Sequence, residues 1–330
     1  MQLRCRQPSL LAAFVLVAVS WPATAAAPHK LMPDDAQMVI RINVKGLLES
    51  DIVKKNALEQ IKTALRENIQ LGLIFDSLGF DPMRDVNSLV LAVSQLPEAP
   101  PQPGAGLDQI SAGEALVIVE GKFDLKKVHE TLALAAKDNP DQLSVSEYNG
   151  LKLYEGKQND QTMFVVFLDG STVLLSNKKP LITTAVDVHQ GKRKPNPNRT
   201  MVNMLAKVSE DDTVIMALPL PQAAKEAARN NPQAAVLVES LEGFTASATT
   251  GKDLNVSLFI HTTDAQGAQQ IRAQLEALKQ FAAGALQGQG VPGGEALAEM
   301  IQNAKIEVTA GKTVSVKMTL TQEMIDKAGR

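Results

Sequence analysis

The sequence predicts an α+β fold built from two tandem, diverged copies of one α/β unit, with antiparallel-rich sheets and helices packed on one face. Three observations predict it. Residues 116–156 read as a strand, a helix and a two-stranded hairpin, and residues 254–320 repeat that order more loosely. Asp34-Asp35 precedes Val39-Ile40 as Asp211-Asp212 precedes Val214-Ile215. Asp76-Ser77-Leu78-Gly79-Phe80 resembles Glu239-Ser240-Leu241-Glu242-Gly243-Phe244, and the pairs fall in the same order along the chain.

In the first unit, Leu116-Val-Ile-Val119 is a short apolar run of the kind that forms a buried strand. Asp124 is suited to cap a helix, because its carboxylate accepts from free N–H groups of the first turn. Leu125, Val128, Leu132 and Ala135 then share one helical face, and Asn139-Pro140 stops the helix. Leu143, Val145, Leu151 and Leu153 alternate around Asn149-Gly150, a pair that favours the positive-φ turn of a hairpin. In the second unit, Leu254, Val256, Leu258 and Ile260 alternate and Asp264 caps a helix with the stripe Ala268, Ile271, Leu275, Leu278 and Ala282. A Gly-rich break at 287–294 follows, then Ile306 and Val308, Ala310-Gly311-Lys312, and the alternation Val314, Val316, Met318, Leu320.

The remaining elements follow from the same signals. Residues 38–44 read as a strand and 45–78 as a long helical region ended by Gly79 and the Asp81-Pro82 turn. Residues 88–95 are a strand. Residues 96–113 hold four prolines and three glycines and read as an exposed loop. Strands at 163–168 and 172–176 flank Asp169-Gly170, and a helix at 180–189 closes the first half. Residues 191–199 carry four basic residues and two prolines and read as a solvated linker, with contact to an anionic surface as the alternative. The second half opens with a helix at 201–208 and a strand at 213–218. An Ala-rich helix interrupted by Asn230-Asn231-Pro232 and a strand at 244–250 follow. A helix at 322–328 ends the chain. The expected division is a signal peptide over 1–27, a first repeat over 28–190, the linker over 191–199 and a second repeat over 200–330.

The signal peptide rests on Arg4 and Arg6, the apolar run from Leu10 to Val19, and Ala23-Thr24-Ala25-Ala26-Ala27. Basic flank, short apolar core and small residues are its three parts, with cleavage expected near Ala25 or Ala27. A membrane span needs about 20 apolar residues, more than this core offers, and no later run reaches that length. Cys5 is the only cysteine; it precedes the apolar run, so lipidation is not expected and the mature chain has no thiol. The chain has 33 basic and 36 acidic residues, and removal of the leader leaves 31 against 36, net −5. That balance argues against nucleic acid as a partner. Aromatic residues make up 4% of the chain and its one Trp lies in the leader, so stacking platforms are scarce.

Catalytic patterns are not assembled in the sequence. His29, His129, His189 and His261 lie far apart, and none has a paired ligand spacing. His129-Glu130 begins like a zinc-protease helix, but Ala133 stands where the second imidazole would be needed. His261 follows Asn255, Ser257 and Phe259 in an alternating strand and is expected to face solvent. Gly288, Gly290 and Gly293 match a dinucleotide spacing, yet they follow a helix and enclose Pro292. The acidic pairs at 34–35 and 211–212 read as turn residues, because a carboxylate in a turn bonds its own backbone. No cofactor, metal or catalytic residue is expected.

Leu31-Met-Pro-Asp-Asp-Ala36, Val39-Ile-Arg-Ile-Asn43, Leu47-Leu-Glu-Ser50, Gly121-Lys-Phe-Asp124 and Tyr148-Asn-Gly-Leu-Lys-Leu-Tyr154 together resemble uncharacterised exported bacterial proteins. These proteins are common in planctomycetes and carry domains of unknown function. The resemblance implies a secreted, duplicated α+β fold and no activity. Export without a catalytic set points to a non-enzymatic binding or interaction protein, periplasmic or extracellular. Its expected partner is an apolar small ligand or an envelope protein. A structural envelope component and a hydrolase with an unrecognised site are the alternatives.

Overall fold

A computed structural model describes residues 24–67, 69–96, 113–158, 161–228, 238–288 and 294–328. The expected leader up to Ala23, nearly all of the proline-rich loop, the expected Asn230-Asn231-Pro232 break and the glycines 290 and 293 lie outside the described residues.

The elements, in chain order, are β1 (Met38–Asn43), α1 (Val44–Glu49), α2 (Asp51–Asn56), α3 (Leu58–Glu67), α4 (Ile69–Leu78), α5 (Pro82–Asp85), β2 (Val86–Gln95) and β3 (Glu114–Gly121). Next come α6 (Leu125–Asp138), β4 (Leu143–Tyr148), β5 (Leu151–Gln158), β6 (Gln161–Phe167), β7 (Thr172–Ser176), α7 (Lys179–His189) and α8 (Arg199–Leu205). The second half adds β8 (Val214–Pro219), α9 (Gln222–Ala228), β9 (Leu241–Thr250), β10 (Leu254–Thr262), α10 (Ala265–Gly288), α11 (Gly294–Gln302), β11 (Lys305–Thr309), β12 (Thr313–Leu320) and α12 (Gln322–Ala328). The fold is α+β, as expected.

All strands join one 12-stranded sheet in the order β11-β12-β10-β9-β8-β1-β2-β3-β7-β6-β5-β4. Every ladder in it is antiparallel. The two halves therefore share a sheet and meet where β1 pairs β8, with Val39 opposite Ala217 and Ile42 opposite Val214. Each half runs outward in the same way: a three-strand meander, then a helix, then strands that return to lie beside the third. In the first half the last strand, β7, pairs β3; in the second, β12 pairs β10. The first half extends further, through β6, β5 and β4.

Alternation assigns successive strand residues to opposite faces. On the first face, Val39, Val90, Ala92, Leu116, Ile118, Leu174, Ile215 and Ala217 pack against Ile182, Ala185 and Val186 of α7 and Met201 and Leu205 of α8. Leu31, Met32 and Ala36 of the N-terminal segment complete that layer. On the second face, Tyr154, Phe167 and Val173 meet Val128, Leu125 and Leu132 of α6. Further along it, Ile260, Val314 and Val316 meet Ala268, Ile271 and Leu275 of α10. The expectation of helices on one face is thus corrected. The reason lies in runs such as Leu89-Val-Leu-Ala-Val93, which are apolar at every position. Such a strand has two faces to bury, and one helical layer covers only one of them.

Other elements also differ from the sequence reading. The helical region at 45–78 is four helices. Asn43 caps α1 by accepting from the Gly46 N–H, and Ser50 turns extended before α2. α11 was not anticipated, because its short stripe is preceded by the Gly-rich stretch.

The two hairpin turns do match. Asn149 and Gly150 have φ of 50° and 80° between β4 and β5, and Ala310 and Gly311 have φ of 51° and 77° between β11 and β12. Positive φ presses Cβ against the carbonyl, a strain Asn tolerates better than Ala. Ala310→Asn is expected to stabilise the fold by up to about 1 kcal/mol. A higher urea midpoint at unchanged slope is the expected readout.

Candidate functional site

The site with the most convergent chemistry is a cleft of about 350 Å³ on the first face of the sheet. Both halves build it. β1 supplies Val39 and Arg41, β2 Ser88 and Val90, β3 Glu120, β8 Ile215 and α8 Leu205. Residues 26–30 and Glu210 form its rim. Backbone bonds hold that rim in place: the Ala26 N–H donates to the Val208 carbonyl at 2.9 Å, and the Glu210 N–H donates to the Thr24 carbonyl at 2.8 Å.

Strand register sets the polar contacts. Ser88 lies opposite Glu120 across the β2–β3 ladder, so their side chains are cross-strand neighbours on one face. The Ser88 hydroxyl donates to one Glu120 oxygen. His29 Nε2 lies 3.4 Å from the other. The Leu31 N–H donates to His29 Nδ1, which leaves Nε2 as the nitrogen that donates to the carboxylate. Arg41 donates to the Glu210 carbonyl and stands 3.9 Å from its carboxylate. Glu120 is held down at about 2, first by the His29 hydrogen bond, then by the Ser88 hydroxyl and the positive charges of His29 and Lys30, against the upward push of partial burial.

This arrangement differs from a nucleophilic triad. A serine nucleophile needs an imidazole between itself and the acid, whereas here the carboxylate stands between hydroxyl and imidazole. A carboxylate titrating near 2 is also a poor base at neutral pH. What the cluster does is fasten the N-terminal segment to the middle of the sheet.

The sequence-derived candidates sit apart from one another. His129 Nδ1 lies 2.6 Å from the Tyr154 hydroxyl, and its ring stacks on Tyr154 and meets Phe167 edge-on. Burial first, then the charge of Lys152, holds its pKa below the usual value. His189 ends α7 near Asp169, whose carboxyl is pushed up by burial but held below its usual value by hydrogen bonds from Ser171 and Thr172 and, least, by the charge of His189. Asp34 accepts from Arg193 and from the Asn196 N–H, which draws the basic 191–199 stretch onto the body of the fold. Asp35 accepts from the Ser94 hydroxyl. Asp212 accepts from the Ser209 N–H and the Thr249 hydroxyl, while the Asp211 N–H donates to Ser209 Oγ. Because β1 and β8 are antiparallel, the two acidic pairs lie at opposite ends of the central ladder. Gly288 is the last residue of α10, and Gly290 and Gly293 lie outside the described residues. Among the described residues, no group of three or more His, Cys, Asp or Glu is placed to hold a metal ion.

His261 corrects the expectation of solvent exposure. It does lie on the face of Ser257 and Phe259, but it is 5% exposed. Its Nε2 is 2.8 Å from the hydroxyl of the fully buried Thr245. Thr245 in turn reaches the Met204 carbonyl at the end of α8, so the covering comes from a helix distant in sequence. Ser88, Glu120, Arg41 and Glu210 were missed as site residues. Arg41 and Glu120 did carry a signal: each is a charge in or beside an otherwise apolar strand.

Comparison with known families adds one result. A family model described as "Protein of unknown function (DUF3352)" matches residues 87–308. The chain belongs to this family. The DUF3352 match takes in β2, β3, β8 and the α8 side of the cleft, while β1 and the N-terminal segment precede it. No curated protein matches. One solved structure, described as "Structure of crystal form I of TP0453", is similar at a TM-score of 0.42 and 11% identity. The similarity covers 92% of this chain and 97% of that one.

Two predictions follow from the histidine and carboxylate environments of this DUF3352 protein. Burial drives the His261 pKa down to about 4 from 6.5. The unfolded chain therefore takes up this proton at a higher pH than the folded chain. Stability from this group is complete above about pH 6.5 and is lost as pH falls toward about 4, by at most about 3 kcal/mol. In urea titrations at pH 7 and pH 4.5, His261→Asn should lose less stability than the wild type. Glu120 has the usual carboxylate sign: its contribution is present above about pH 4.5 and fades as pH falls toward about 2. Glu120→Gln at neutral pH should speed amide hydrogen exchange over residues 29–32 at least several-fold. Unchanged exchange there would show that the cluster does not fasten the segment.

Proposed function

We propose that the chain is an exported, non-enzymatic binding module of the bacterial envelope, and that it binds an apolar molecule. The observation that carries this reading is the middle of the sheet's second face. There Met38 and Ile40 of β1, Leu89, Leu91 and Val93 of β2, Ala115 and Val117 of β3, and Leu218 of β8 form one aliphatic strip. Among the described residues, no helical side chain belongs to that cluster. Helix-covered cores flank it, with α6 on one side and α10 on the other. Met38, Leu91, Val93 and Ala115 are buried, whereas Ile40, Leu89, Val117 and Leu218 remain only half-buried. Aliphatic floors between helical walls are favoured places for apolar ligands.

The non-enzymatic part is supported by the separation of the histidines and by the hydrogen bonds that Asp34, Asp35 and Asp212 accept from other parts of the fold. Export is supported by the three-part leader, and a bacterial envelope rather than a eukaryotic extracellular setting by a mature sequence without cysteine. No described helix is long and apolar enough to cross a membrane. The halves also read as products of duplication, supported by their shared element order and by antiparallel pairing of β1 with β8, the orientation a twofold axis requires.

A second reading, a protein partner, has its own observation. Leu278 and Phe281 are 59% and 75% exposed on α10, three residues apart and so on one side of the helix. Native mass spectrometry of the processed chain from the envelope of its own host separates the two. Bound mass lost on organic extraction supports the apolar ligand, and protein-sized added mass supports the partner. Val117→Trp fills the strip; it should reduce the extractable mass at least several-fold with the circular dichroism spectrum unchanged. A bare wild-type chain in every preparation overturns the apolar-ligand reading.

A further inference from the structure

The cleft on the first face is rimmed by the residues at which the leader is expected to end. Ala23-Thr24-Ala25 and Ala25-Ala26-Ala27 both offer the small residues an export endopeptidase reads at the first and third positions before the bond. By that small-residue pattern alone the sequence leaves the two bonds equivalent. The fold does not.

Ala26 is 4% exposed and belongs to the main core cluster, with Leu205 and Val208. Its N–H donates to the Val208 carbonyl. Thr24 and Ala25, by contrast, are exposed. A cut after Ala27 would discard a core residue and its backbone bond. It would also require the imide nitrogen of Pro28, fixed in its ring and lacking an N–H, to serve as the leaving group. Of the described residues, a cut after Ala25 removes the exposed Thr24 and Ala25, with the Thr24 carbonyl that accepts from the Glu210 N–H, and keeps Ala26 in the core.

We propose that export processing hydrolyses the Ala25–Ala26 bond and that the new Ala26 ammonium stays seated in the cleft. This rests on the export reading. The co-reactant is water, and the agent is an envelope endopeptidase specific for small residues. Water oxygen bonds to the Ala25 carbonyl carbon as the C–N bond breaks. Ala25 leaves as a carboxylate on the leader, and the two protons of water end on the Ala26 nitrogen. The ammonium retains the Val208 carbonyl as acceptor, now in a charge-assisted bond. Glu120 and Glu210 line the same cleft and supply negative charge, beside Lys30 and Arg41. Because the scissile nitrogen and the Ala26 methyl are covered in the folded chain, the cut precedes docking of this segment, and a folded precursor resists it.

The test is intact-mass and N-terminal peptide analysis of the wild-type chain from fractionated host cells. An envelope form that begins at Ala26 is expected. An envelope form that begins at Pro28, or that keeps its leader, overturns the inference and leaves export standing. A leader-bearing chain confined to the cytosol overturns the export reading itself. Seating has its own readout: at neutral pH an amine-directed acylating reagent should modify the Ala26 amine at least ten-fold more slowly in the folded chain than in urea. Equal rates overturn the seating.

Discussion

The pairing of β1 with β8 is the interaction on which the rest depends. β1 is a six-residue strand that pairs β2 along one edge and β8 along the other. Without it each half would end in an open row of backbone donors and acceptors, and burying that row unpaired is costly. With it, apolar side chains from both halves line up on each face. α7 and α8 then lie together over one face, although the 191–199 connection separates them in sequence. The polar cleft and the aliphatic strip lie on opposite faces of the same central strands, and both exist only because the halves are joined there.

The same pairing gives the N-terminal segment its seat. Residues 26–36 cross the first face over strands from both halves and contribute Ala26, Leu31, Met32 and Ala36 to the core. The Glu120 cluster adds a polar fastening at the point where the crossing begins. A carboxylate that accepts from a hydroxyl on one side and an imidazole on the other is well satisfied and weakly basic. That favours holding over chemistry, and it is why the cleft reads as an anchor. Among the described residues, the centre of the second face is instead an aliphatic cluster.

Local signals in the sequence translated well where the physics was local. Asn149-Gly150 turned as its intrinsic preference requires, and Asp124 capped α6 by accepting from the Lys127 N–H. The alternations in β10 and β12 put Val256, Leu258, Val314 and Val316 on one face. The failures have a common cause. His261 was placed on the correct face, but its burial comes from the end of α8, more than fifty residues away in sequence. Glu120 gains its partners from β2 and from His29, and the ladder register that brings Ser88 opposite it is a tertiary fact. The helical region at 45–78 broke at Ser50, whose backbone is extended, and just beyond it the Ile52 N–H donates to the Gly251 carbonyl of a distant segment.

The sequence by itself determined the class of the fold, the order of its strands and the hairpin turns. Each of these depends on residues within a few positions of one another, through sterics, capping or periodicity. Only the tertiary structure decided that the two halves share one sheet, that helices cover both faces, and that the N-terminal segment is part of the core. It also decided which titratable groups meet. Those outcomes depend on strand register and on contacts between distant segments. Many pairings satisfy the same local pattern, and the one adopted is the one that buries both faces of the central strands at once.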